Sequence, residues 1–188
     1  MVTNYLISTQ KLFTYYRSLG DNTFAQLSDE GLFHSLSPGS NSIGIIVNHL
    51  NGNMLSRWTD FLHSDGEKKW RKRDQEFESE IDSRNDLLAK WNEGWECLFK
   101  ALASISEENF EHKVFIRNQE HSIQEALNRQ LCHYAYHVGQ IVFIGTIIKG
   151  PDWKSLSISK GRSQAFNDKK ESQGKHGGHF TDGMNDTL

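Results

Sequence analysis

An all-α fold is predicted for this chain, an antiparallel four-helix bundle with a short hairpin or extended loop before its last long helix. Three observations predict it. Four stretches carry apolar residues at a 3.6-residue period, Ser, Gly and Pro punctuate their ends, and no run alternates convincingly enough to build a sheet. The 188 residues suffice for one domain with a proper core and are too few for two comfortable ones. Helices of this length pack into bundles whose inward-facing side chains can build metal sites.

The first helix rests on Val2, Tyr5, Leu6, Thr9, Leu12, Phe13 and Tyr16 and is expected to end near Gly20. After the polar loop at Pro38, Gly39 and Ser40, the stripe Ile43, Ile46, Val47, Leu50, Met54, Trp58, Phe61 and Leu62 predicts a second helix over about 42–63. Ser40 or Asn41 is available as its cap. His63, Ser64, Asp65 and Gly66 stop it, and the charged cluster from Glu67 to Glu78 reads as a solvated connection. Ile81, Leu87, Leu88, Trp91, Trp95, Leu98, Phe99 and Leu102 mark a third helix over about 80–104, opened by Ser79 with Asp82 three residues on. Between Lys113 and His121, β-branched and aromatic residues flank a polar break at Asn118 and Gln119, which gives the hairpin or extended loop. Ser122 with Glu125 forms a capping-box pattern for the fourth helix, whose apolar face holds Ile123, Leu127, Leu131, Tyr134, Val138, Ile141 and Ile148. Gly150 and Pro151 close it. Residues 1–166 are read as the bundle, and residues 167–188, rich in Gly, Ser, Lys, Asn and Asp, as a flexible tail.

The net charge of −3 is spread over mixed acidic and basic residues, so no basic face advertises nucleic acid. The apolar run from Ile141 to Ile148 is far short of the roughly 20 residues that span a bilayer, and no membrane segment is expected. The first residues lack the charged start and apolar stretch of a secretory signal, which points to the cytoplasm. Cys97 and Cys132 show no CxxC spacing, fit a reduced compartment and are expected to be buried small hydrophobes.

His133 and His137 are the strongest chemical signal in the chain. An i,i+4 pair lies on one helix face about 6 Å apart, so both imidazoles can reach one ion. Of the nine histidines, only His49 otherwise sits in the interior of a long apolar helix, where a lone imidazole needs a partner to offset desolvation. A metal held by His49, His133 and His137 supplies that partner. Neutral imidazoles suit Zn, Ni, Fe or Co, with Mn a further candidate, and three nitrogens leave positions open for water or substrate. Zincin chemistry is disfavoured because Tyr134 stands where a Glu would follow the first His, and no histidine has the Glu three positions before it that di-iron bundles need. Asn53 and Gln130 lie one helical turn from His49 and His133, and with Tyr134 they are the candidates to bond the ligands or a substrate. Trp58 and Tyr136 could line the cavity or belong to the core, and Arg129 could bind a substrate carboxylate or form a surface ion pair.

The segments Ile43 to Met54 and Asn128 to Ile141, with Ser157 to Phe166 as a closing segment, resemble the DinB/YfiT-like superfamily of metal-binding four-helix bundles, specifically its small bacterial members. The resemblance covers roughly residues 5–166. It implies a three-histidine site at His49, His133 and His137, often holding Zn or Ni, and frequently a homodimer. It also implies a small-molecule substrate, because some members are S-transferases or isomerases that use low-molecular-weight bacterial thiols. The function expected on this basis is a metal-dependent transferase or hydrolase-like activity on a thiol or water. The competing expectation is a metal-stabilised, stress-associated dimer without turnover.

Overall fold

Four long helices share one apolar core: α1 (Val2–Gln26), α3 (Ile43–Trp58), α4 (Arg84–Ala103) and α5 (Ile123–Lys149). A short α2 (Asp29–Phe33) follows α1, and α6 (Ser163–Ser172) is the last helix among the described residues. The computed structural model describes residues 2–78 and 81–182. The fold is mostly helical, with a single two-stranded antiparallel hairpin among the described residues, β1 (Lys113–Ile116) paired to β2 (Gln119–Ser122).

Helix starts follow side-chain capping. Ser42 accepts from the Ile45 amide at the start of α3, and Ser83 does the same for Asp86 at the start of α4. Ser122 and Glu125 form the full reciprocal capping box of α5. Each such cap contributes about 1 kcal/mol and, more usefully here, fixes the rotational phase of the helix that follows.

Several expected boundaries move, each for a local reason. The first helix runs past Gly20 to Gln26, because that glycine is a packing residue: a Cβ there would collide with the Trp91 ring of α4. Ser42, rather than Ser40 or Asn41, caps α3, which ends at Trp58 and gives way to turns. The third long helix begins at Arg84 behind Ser83; the expected cap Ser79 lies outside the described residues. The hairpin turn is Arg117 and Asn118, both at positive φ (56° and 60°), the two-residue geometry whose twist suits antiparallel strands. Asp65 accepts from both turn amides, at 2.8 and 2.7 Å, and pins that turn to the chain leaving α3.

Aromatic rings tie the helices together. Phe13 of α1, Trp95 of α4 and Tyr134 of α5 meet in tilted or edge contacts with centroids 5.9–6.3 Å apart. By length and composition alone, Ile123–Asp152, which is α5 and the turn after it, is apolar enough to cross a membrane. Its inner side, from Ile123 through Leu127 and Val138 to Ile141, is fully buried against the core. Beyond residue 166 the chain continues in α6, and Asp182 pairs with Lys11 of α1 at 2.6 Å.

Candidate metal centre

α3 packs on both α4 and α5, and the facing sides of α3 and α5 carry the histidines. His49 lies at mid-length of α3, while His133 and His137 stand one turn apart on α5. The three rings converge, with centroids 5.4 Å (His49 to His133), 4.9 Å (His49 to His137) and 4.7 Å (His133 to His137) apart. One ligand nitrogen from each lies within 4.8 Å of the others. Among the described residues, this is the cluster of His, Cys, Asp and Glu that can hold a metal ion.

Chemistry and geometry both suit a divalent cation. Nε2 of His49 and Nε2 of His133 face each other at 3.3 Å. Two imidazole nitrogens on one tetrahedral ion, each bound at 2.0–2.1 Å, are separated by about 3.3–3.4 Å. Hydrogen bonds settle which nitrogens point inward. Nδ1 of His49 donates to Glu76 at 2.9 Å, and Nδ1 of His137 donates to the Gln140 amide oxygen at 2.8 Å, so each Nε2 keeps its lone pair. Burial, followed by the neighbouring imidazoles, lowers the His133 pKa to about 3. Burial and His49 lower that of His137 to about 4. Both rings are therefore neutral at physiological pH, the form a metal requires.

The partner of His49 comes from an unexpected place. The charged connection after α3, read from the sequence as solvated, folds back over the site as a 3-10 turn at Arg73–Phe77. Glu76 in that turn is buried, and Arg71 clamps its carboxylate with two hydrogen bonds of 2.7 and 2.9 Å. Burial alone would raise the Glu76 pKa; the hydrogen bonds from Arg71 and His49 outweigh it and hold the group ionised below the usual carboxylate range. Asn48 donates to the Glu76 carbonyl at 3.1 Å, and Phe77 stacks on the His49 ring at 4.6 Å. One sequence signal pointed here: Gly52, a helix-weakening residue in mid-α3, sits where any Cβ would collide with the Glu76 carboxylate.

A cleft of about 300 Å³ opens over the three imidazoles. Asn53 and Gln130 line it; Tyr134 does not. Tyr134 stands behind, fully buried, donating to Asn53 at 3.1 Å and accepting from Trp58 at 2.9 Å, so it positions Asn53. Trp58 is core, Tyr136 is exposed on the outer face of α5, and Arg129 lines the cleft while donating to His121. The expectation that both cysteines are buried is corrected: Cys132 is exposed and Cys97 half-buried, because α5 turns the residue before His133 outward.

Fold and site together define a class, a mostly helical protein with three histidines placed to hold one metal ion. The chain belongs to the family described as Protein of unknown function (DUF1572), whose model matches residues 1–162 and so spans the whole site. No curated protein and no solved structure matches it.

Proposed function

We propose that this is a divalent-metal-dependent enzyme on an antiparallel, DinB/YfiT-like four-helix bundle, in which His49, His133 and His137 hold the ion, Zn or Ni being the best fit to three neutral imidazoles. The observation that carries the reading is the 3.3 Å approach of two inward-facing Nε2 atoms, which among the described residues have no other hydrogen-bond partner. When bound, such an ion lowers the pKa of a coordinated thiol or water, which is the chemistry of a transferase or hydrolase-like reaction.

The chain's own residues do the rest. Glu76 fixes the His49 ring and its tautomer, and Arg71 keeps Glu76 charged in a buried setting. Burial keeps His133 and His137 unprotonated. Asn53 and Gln130 offer amide groups to a substrate entering the cleft. Exposed Tyr136, Phe143 and Ile147 form an apolar stripe on the outer face of α5, which supports a second copy of the chain as its neighbour.

Metal content of tag-free protein tests the site. One equivalent of divalent ion per chain is expected, lost in His133→Ala; the tail histidines His176 and His179 remain in that variant and report adventitious uptake. An unchanged equivalent in the variant would refute the ligand set. Metal-loaded protein offered a panel of low-molecular-weight thiols with an electrophilic acceptor then tests turnover.

A further inference from the structure

The walls of the cleft are basic in a chain whose net charge is negative. Five arginines line it from four separate places: Arg57 from α3, Arg71 and Arg73 from the connection, Arg117 from the hairpin turn and Arg129 from α5. Among the described residues, two carboxylates answer them at close range. Glu67 takes Arg57, Arg71 and Arg117 at 3.1, 3.3 and 3.2 Å on a single oxygen. Glu76 is shared between Arg71 and His49. Asp74 approaches Arg73 only to 3.9 Å, and in full solvent. Arg129 meets the imidazole of His121, at 3.1 Å. Five guanidinium groups against two close carboxylates leave the cleft with a clear excess of positive charge even before a metal is counted.

Unused polar capacity sits in the same walls. The Nε of Arg57, on a side chain 6% exposed, is buried without a hydrogen-bond partner, and so is the amide oxygen of Gln130, a residue 3% exposed. Leaving such groups unpaired is costly, and a ligand that pairs them recovers that cost. Arg73 is held over the Phe77 ring at 5.3 Å, so its guanidinium is placed beside the stacked His49, and among the described residues its donors make no hydrogen bond. Guanidinium forks match planar or tetrahedral oxyanions, and an arginine-rich mouth draws anions in by its field.

We propose that the cleft binds a small organic anion bearing a carboxylate or phosphate group, gripped by Arg73, Arg117 and Arg129 at its mouth above the floor that Arg57 and Arg71 provide. A hydrogen-bond donor on the same molecule is taken by Gln130. This names the substrate class of the metal site proposed above and rests on that reading for its catalytic meaning. The binding itself belongs to the arginines and is read without metal.

Titration calorimetry on chelator-treated, metal-free protein, with inorganic phosphate in one arm and succinate in the other, separates the two sources of the oxyanion. Saturable one-to-one binding in at least one arm is expected, weakened on the order of tenfold in Arg73→Gln/Arg129→Gln and by raised salt. Both of those side chains are exposed, so the variant keeps its fold, checked by its melting temperature, and it should load metal as wild type does. Binding of phosphate alone assigns a phosphate ester, and binding of succinate alone a carboxylate. No saturable binding in either arm, or binding untouched by the double variant, overturns the proposal. Anion binding that survives in a protein unable to hold metal would leave this proposal standing and defeat the metal reading instead.

Discussion

His133 and Glu76 end up on opposite sides of the same imidazole, yet they arrive by different physics. His133 is delivered by a capped, 27-residue helix whose apolar period fixes which face it occupies. Glu76 is delivered by an irregular connection with no period at all, held by a clamp from Arg71, the stacking of Phe77 on His49 and a hydrogen bond from Asn48. One region is positioned by backbone regularity and the other by buried polar pairing. The helical region should therefore tolerate local change, while the connection should fail abruptly when one partner goes.

Removing the carboxylate tests the second half of that contrast most severely. Glu76→Ala leaves Arg71, whose side chain is 2% exposed, as a buried charge without its main partner. A loss of about 3–5 kcal/mol in denaturant-measured stability is expected. Glu76→Gln keeps a hydrogen-bond acceptor for His49 and should fold, but with a metal affinity about 10–100-fold lower, read by competition with a chelator of known strength. Equal affinity in wild type and Glu76→Gln would mean that the connection only covers the site.

Two glycines sharpen the comparison at lower cost. Gly52→Ala puts a methyl group into the pinned Glu76 carboxylate. Overpacking of about 1–3 kcal/mol, offset by roughly 1 kcal/mol of helix propensity, should leave a net loss along with weaker metal binding. Gly139→Ala on α5 meets nothing within 4 Å and should gain about 0.5–1 kcal/mol. A gain at both positions would show that Glu76 gives way freely.

A further test is the pH dependence of metal-free protein. Folding lowers the pKa of His133 from 6.5 to about 3 and that of His137 from 6.5 to about 4. Between those values the unfolded chain binds more protons than the folded one, so stability rises with pH. The contribution is complete above about 6.5 and drains away as pH falls through about 4 and toward 3. The melting temperature of wild type should drop across that window, and His133→Gln/His137→Gln should flatten the curve between pH 5 and 6.5.

How much of this was legible in the sequence follows from the same contrast. The long helices and the three histidines were readable because a 3.6-residue period places residues on a face without knowledge of the rest of the chain. Gly20 misled for a physical reason: its role is close contact with Trp91, 71 positions away, which local patterning does not encode. The Glu76 to His49 bond spans 27 residues and joins a charged run to an apolar helix, so charge alone made the run look solvated. Helix-weakening Gly52 was the one local hint that something presses on α3 there. The basic cleft was hidden similarly, since its arginines are scattered from Arg57 to Arg129 among acidic neighbours and converge only in three dimensions.

The most direct test is X-ray absorption spectroscopy at the metal edge of protein loaded with one equivalent of Zn or Ni. Three imidazole nitrogens, with at least one further light-atom position that exchanges with added thiol or anion, is the expected result. Fewer than three imidazoles, or a shell filled entirely by protein donors, would contradict the convergence of His49, His133 and His137 on one open site.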